Sequence, residues 1–162
     1  MAGKPRRKSW QEKLEDSKDL HRVEEITDQM SKRWGTGTVV IPAPREVDEI
    51  MGRVTKGKVI TINEIRAIPA RKHGATIGCP ITTGVFAWVA ANAAGEAEAQ
   101  GRKGITPYWR TLKSGGELNE KYPGGVETQA RRLREEGHTI EPGKGKKPSK
   151  VKDFEKFLAV LR

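Results

Sequence analysis

The chain has a single cysteine, Cys79, among its 162 residues. That excludes an intrachain disulfide and any all-cysteine zinc site. It also lacks a long apolar run. Its apolar stretches fall far short of the ~20 residues a membrane span requires, so no transmembrane helix is expected. The first eight residues are basic, but polar and charged residues follow where a signal peptide would carry its apolar core. The expectation is a cytoplasmic protein. Its three histidines, His21, His73 and His138, show no metal-ligand spacing, and neither a metal nor another cofactor is expected. Apolar residues make up only 35% of the chain against 32% charged. Such a balance fits one domain with a core region of roughly 90–110 residues and solvated tails.

What the chain has in excess is positive charge: 31 Lys and Arg against 21 Asp and Glu, a formal +10. Duplex DNA presents a phosphate every ~1.7 Å along its axis, and neutralising these releases counterions, so basic surfaces are favoured partners. The excess sits at both ends, in Lys4, Arg6, Arg7 and Lys8 and again in Lys144, Lys146, Lys147, Lys150 and Lys152. Plain solubility of the tails is the competing reading. Anionic membranes fit less well, because no basic segment also carries a continuous apolar helical face.

Three regions follow from the pattern. Residues 1–45 form a helical, basic appendage, with helices expected over 10–18 and over 20–32, the second placing Val23, Ile26 and Met30 on one face. Residues 46–140 carry the main domain. Val47, Ile50, Met51 and Val54 are spaced for an amphipathic helix. Thr61-Ile62-Asn63-Glu64 is a capping box opening a helix that should end near Pro69, before a turn-rich connector over 71–78. Pro80 then starts a helix with Ile81, Val85, Trp88 and Val89 as its core stripe and Thr83, Ala87, Ala90, Ala91 and Ala94 on the other side. Two helices joined by a turn make a helix-turn-helix pattern. The small-residue side has two readings at this point: a surface that enters a groove, or helix-on-helix packing. Residues 126–137 form a further helix with Gly137 as C-cap. Residues 141–162 are a basic hairpin or tail, in which 138–140 would pair with 151–158 across a lysine-rich tip resembling the wing of a winged helix. The fold class expected is mainly α.

Five pieces in this order resemble one family: residues 54–65, the helix ending at Asn92, Pro107-Tyr108-Trp109-Arg110, Tyr122-Pro123-Gly124-Gly125, and Glu135-Glu136-Gly137. They resemble the C-terminal DNA-binding domain of the O-6-alkylguanine-DNA alkyltransferases, over roughly residues 47–137. The resemblance implies a recognition helix in the minor groove, a base turned out into a pocket, and alkyl transfer to a thiolate. A groove only ~6 Å wide admits a helix whose approaching face is small. On that basis the resemblance assigns DNA contacts to Thr82, Thr83, Ala87, Ala91, Asn92, Arg110 and Lys58. It assigns a base pocket to Tyr108, Trp109, Ile62, Tyr122, Gly124 and Gly125.

At the decisive position the sequence departs from the family. Tyr108 stands where the family has its cysteine and Trp109 where it has histidine. A phenol with pKa ~10 and no neighbouring base is a poor alkyl acceptor at neutral pH. Glu136 stands at the family's relay glutamate with no relay to serve. Thr83 stands where the family has the arginine that fills the space of the flipped base, and Ile62 where it has a phosphate-rotating tyrosine. The pattern is similar to the alkyltransferase-like proteins, in which tryptophan replaces the cysteine. It implies a non-enzymatic, monomeric binder of double-stranded DNA that senses altered bases for other repair factors. Two readings of Tyr108 and Trp109 stay open: stacking on a flipped base, or filling the pocket. Two other functions stay open as well: residual alkyl transfer through Cys79 or Tyr108, and a protein-interaction module that kept the fold and lost DNA.

Overall fold

The computed structural model describes residues 7–161. Along the chain run α1 (Trp10–Glu15), β1 (Arg22–Glu25), α2 (Asp28–Trp34), β2 (Thr38–Ile41), α3 (Pro44–Gly52), β3 (Ile60–Thr61), α4 (Ile62–His73), β4 (Ile77–Gly78), α5 (Pro80–Ala99), β5 (Thr111–Leu112), α6 (Gly125–Glu135), β6 (Ile140–Glu141) and β7 (Lys150–Val151). The result is helix-rich, with three small sheets. β1 pairs antiparallel with β2, and β2 pairs parallel with β4; β3 pairs parallel with β5; β6 and β7 form an antiparallel hairpin.

Helix α5 organises the packing, lying against α1, α3 and α4. Around it Val47, Ile50, Met51, Ile65, Phe86 and Tyr108 form the larger core. A second cluster, Val59, Leu112, Leu118, Ala130, Leu133 and Val151, joins α6 to the hairpin, and Trp109 touches both. The first helix is docked on this body. Its amides at Trp10 and Gln11 donate to the Glu96 carboxylate at 3.1 and 3.0 Å, and the Trp10 and Trp88 rings meet edge-on at 4.6 Å.

Local signals account for several boundaries. Thr61 and Glu64 form the capping box read from the sequence, with the Thr61 amide donating to Glu64 Oε1 at 2.8 Å. Pro80 occupies the first turn of α5. Ile140 faces Val151 in the C-terminal hairpin, although its second strand ends at Val151 and residues 154–157 form a 3-10 turn.

Three expectations are corrected. The single helix over 20–32 is instead β1 followed by α2. Residues 22–25 find hydrogen-bond partners in β2, and Thr27 caps a new helix by accepting from the Met30 amide at 3.2 Å. α4 does not stop near Pro69 but runs through it to His73. Proline inside a helix costs about 3 kcal/mol. Here Ile65, Pro69 and Ala70 are buried together, and Gly74, left-handed at φ 68°, ends the helix with its amide bonded to Ala70 O. The third correction concerns the side of α5 that faces inward.

Candidate nucleic-acid interface

The small-residue side of α5 is the packed side. Thr83, Ala87 and Ala91 are each 0% exposed, so these three cannot lie against a groove. Alanine and threonine allow α5 to approach its neighbouring helices closely, and the packing reading accounts for them. Outward from the first half of α5 point Ile81, 60% exposed, and Val85, 46% exposed. Spaced four apart, they share one face of the helix. Gly84 sits between them. Its φ lies outside the left-handed region, and a Cβ built on it would meet nothing within 4 Å. Neither backbone geometry nor internal packing therefore requires glycine there, although glycine in a helix costs about 0.5–1 kcal/mol relative to alanine.

This face forms one wall of a cleft of ≈ 510 Å³. Ile62 and Asn63, at the start of α4, also line it, as does the loop from Leu112 to Ser114 with Asn119 to Tyr122. Lys113 and Lys121 belong to that loop. Lys113 pairs with Glu120 at 3.1 Å, while Lys121 donates its amide to Asn119 Oδ1 and keeps its ammonium exposed. The same loop roots the hairpin. Leu118 N donates to Ser149 O, and Val151 N donates to Gly116 O, both at 3.0 Å. The exposed tip with Lys144, Lys146 and Lys147 therefore springs from the cleft's own wall. A second, smaller depression shares Asn63 and adds Arg66 and Arg71 along α4. Arg66 is held there by bonds to Asn63 Oδ1 and Gly78 O, both 3.2 Å.

The aromatic residues of Pro107-Tyr108-Trp109-Arg110 pack into the interior. Tyr108 is 1% exposed and donates its hydroxyl to Pro123 O at 3.3 Å. The rings of Trp109 and Tyr122 meet it edge-on at 5.4 and 6.0 Å, and the Arg132 guanidinium lies 5.5 Å from its centre. Burial pushes both the Tyr108 and the Tyr122 phenols up from their ordinary value, so the hydroxyl form is held. Tyr108 is thus enclosed by its neighbours. Tyr108 and Trp109 line none of the clefts described, whereas Ile62 and Tyr122 do.

Glu136 is the hub of this interior. It accepts from Arg110 Nη2 at 2.8 Å and Nε at 2.9 Å, from the Trp109 indole at 2.9 Å, and from the Gly57 amide at 3.4 Å. Burial pushes its carboxyl up, but the Arg110 and Trp109 bonds outweigh burial and hold it below its ordinary value. Arg110 also donates to Val54 O at 2.7 Å. Its guanidinium thus faces inward and is committed to the fold, which corrects its assignment as a DNA contact.

Other residues singled out in the sequence fall as follows. Asn92 donates to Trp88 O within α5 at 2.9 Å. Cys79 is buried and caps α5, its sulfur accepting from the Thr82 amide at 3.4 Å. Thr82 is half-buried, with its hydroxyl unpartnered among the described residues. Lys58 is exposed on the turn before β3, away from the cleft lining. Gly124 and Gly125 turn the chain into α6 at φ 78° and 71°, so their role is in the backbone. His73 Nε2 lies 2.8 Å from Glu46, and the His21 ring stacks on His73 at 3.5 Å. The residues sequence reasoning missed are Ile81, Gly84, Val85, Asn63, Lys113 and Lys121. The one available signal was Gly84, a glycine inside a helix.

No family model matches the sequence, and no curated protein matches it. Among solved structures the chain is similar to S. pombe Atl1 in complex with damaged DNA containing O6-carboxymethylguanine. The TM-score is 0.47 at 22% identity, covering 73% of this chain and 94% of that one. It is similar also to S. pombe ATL in complex with DNA, with a TM-score of 0.45, 22% identity and the same coverages. Neither likeness decides what this chain binds.

Proposed function

We propose that this chain is a non-enzymatic binder of double-stranded DNA that seats the outward face of α5 in the minor groove and lays the lysine-rich hairpin along the flanking phosphates. The observation that carries the reading is an outward apolar helix face that includes Gly84, together with a cationic hairpin rooted on a loop that lines the same cleft. A groove ~6 Å wide favours a face with no side chain at its closest point, and phosphate neutralisation favours lysines beside it. The resemblance to alkyltransferase-like proteins supports a role in recognising altered DNA for other repair factors, with the contacts moved from Thr83, Ala87 and Ala91 to Ile81, Gly84 and Val85. No alkyl acceptor is assigned. Tyr108 is enclosed and kept protonated, and Cys79 is buried as a helix cap.

Anisotropy titration of a labelled duplex across a range of salt tests the reading. The affinity should fall steeply with salt. Reversing Lys144, Lys146 and Lys147 to Glu should lower it and reduce the log–log slope by about 2–3, near 0.9 for each phosphate no longer neutralised. No binding at low salt, or a slope indifferent to the triple reversal, overturns it. Exposed Ile81 and Val85 also suit an apolar protein partner. That second reading gains only if duplex binding is absent. Intact-protein mass measurement after incubation with O-6-methylguanine duplex should show no added methyl.

A further inference from the structure

We propose that Ile81 and Val85 are an apolar wedge which parts stacked base pairs from the minor-groove side, and that the DNA this chain selects is duplex with weakened stacking, such as a mismatch. The proposal rests on the duplex-binding reading above and specifies what that site prefers.

Three observations converge on it. Both side chains are large, apolar and outward, at 60% and 46% exposure, in a chain whose cleft lining is also polar through Asn63, Lys121 and the Lys113–Glu120 ion pair. Apolar side chains of this kind are what minor-groove proteins insert between base steps. Both are β-branched, and a β-branched residue in a helix holds one preferred rotamer, so the pair is stiff before it meets DNA and loses little freedom on insertion. Gly84 between them lets the helix axis come close enough for the side chains to reach the stack.

The second observation is what the face lacks. Residues 81–88 of α5 include no Arg, Lys, Asn or Gln. No side chain of this face can read a base edge through a bidentate bond, so what the face itself contributes is sensitivity to how easily the duplex deforms.

The third is the interior. A chain that extrudes a base needs a chamber to receive it. In the corresponding place Tyr108 is 1% exposed, bonded to Pro123 O and bracketed by the Trp109 and Tyr122 rings. The Tyr108 position offers no such chamber, and insertion of the wedge needs none. The cost of parting two base pairs is least where pairing or stacking is already impaired, which makes weakly stacked duplex the favoured ligand.

The test compares a matched duplex with the same duplex carrying one central mismatch, each with 2-aminopurine beside the central step. Wild-type protein should bind the mismatched duplex roughly tenfold more tightly and raise the 2-aminopurine emission, because a parted step no longer quenches it. The Ile81→Ala/Val85→Ala double variant should bind both duplexes about equally, with no emission change and an undiminished salt slope. Ile81→Leu should keep most of the preference. Both positions are exposed, and circular dichroism of the double variant checks that the fold is kept. If the double variant retains the preference, the wedge is overturned. If the wild type binds with a steep salt slope but shows neither preference nor emission change, the wedge falls and duplex binding stands. If neither duplex binds at low salt, both fall together.

Discussion

Gly84→Ala separates stability from binding at one atom. The glycine is in regular helix, and an added Cβ would find open space inside the protein. The substitution should therefore stabilise the fold by about 0.5–1 kcal/mol, through higher helix propensity and a less flexible unfolded chain. For a domain of this size that is a rise in Tm of roughly 1–4 °C. The same methyl would stand at the point of closest approach to the groove floor. Forcing an extra methyl into a fitted interface costs about 1–1.4 kcal/mol, a drop of roughly five- to tenfold in duplex affinity. Thermal denaturation and anisotropy titration on one preparation read both effects. A more stable protein that binds as tightly as the wild type refutes the idea that this glycine is kept for close approach. A destabilised one refutes the open packing around Gly84 instead.

Two further outcomes follow from the interior. Glu136→Ala should destabilise the protein by about 3 kcal/mol, since it leaves the inward Arg110 guanidinium without its carboxylate. It should also flatten the acid end of the stability curve. The folded carboxyl is held below its ordinary 4.5, so the unfolded chain takes up that proton first. The stability it contributes is present above 4.5 and lost as pH falls through the lowered folded value. A variant within about 0.5 kcal/mol of wild type in urea denaturation contradicts the hub role. His138 is buried against Phe157, neither ring nitrogen has a partner among the described residues, and burial lowers its pKa from 6.5, with Glu136 opposing and Arg110 assisting. Stability should accordingly begin to fall as pH drops below 6.5, toward the lowered folded value, because the unfolded imidazole protonates first. His138→Leu should remove that component in denaturant titrations at stepped pH, and an unchanged pH profile contradicts it.

How much was legible depended on how local the cause was. The capping box at Thr61 and Glu64 and the Pro80 start of α5 are set by neighbours in sequence, and sequence reasoning reached them; of the hairpin it reached the Ile140–Val151 pair but not the strand bounds. The orientation of α5 was not, for a physical reason. The helix is apolar nearly all round, so its pattern carries no phase, and whether Ala87 or Val85 faces inward depends on which helices cross it. Strand β1 was missed because its partners lie in residues 38–41. Pro69 misled because a local penalty of about 3 kcal/mol yields to burial of Ile65, Pro69 and Ala70 together. Arg110 was placed at DNA because the resemblance assigned it there, whereas its partner Glu136 lies 26 residues away.

The central claim concerns which surface meets the duplex, and amide chemical-shift mapping by NMR tests it most directly. Titrating duplex into labelled protein should perturb amides of Ile81, Gly84, Val85, Lys113, Lys121 and the hairpin tip, and leave those of Thr83, Ala87 and Ala91 to move only in their wake. Perturbations concentrated on another face, with the α5–hairpin cleft silent, would contradict it.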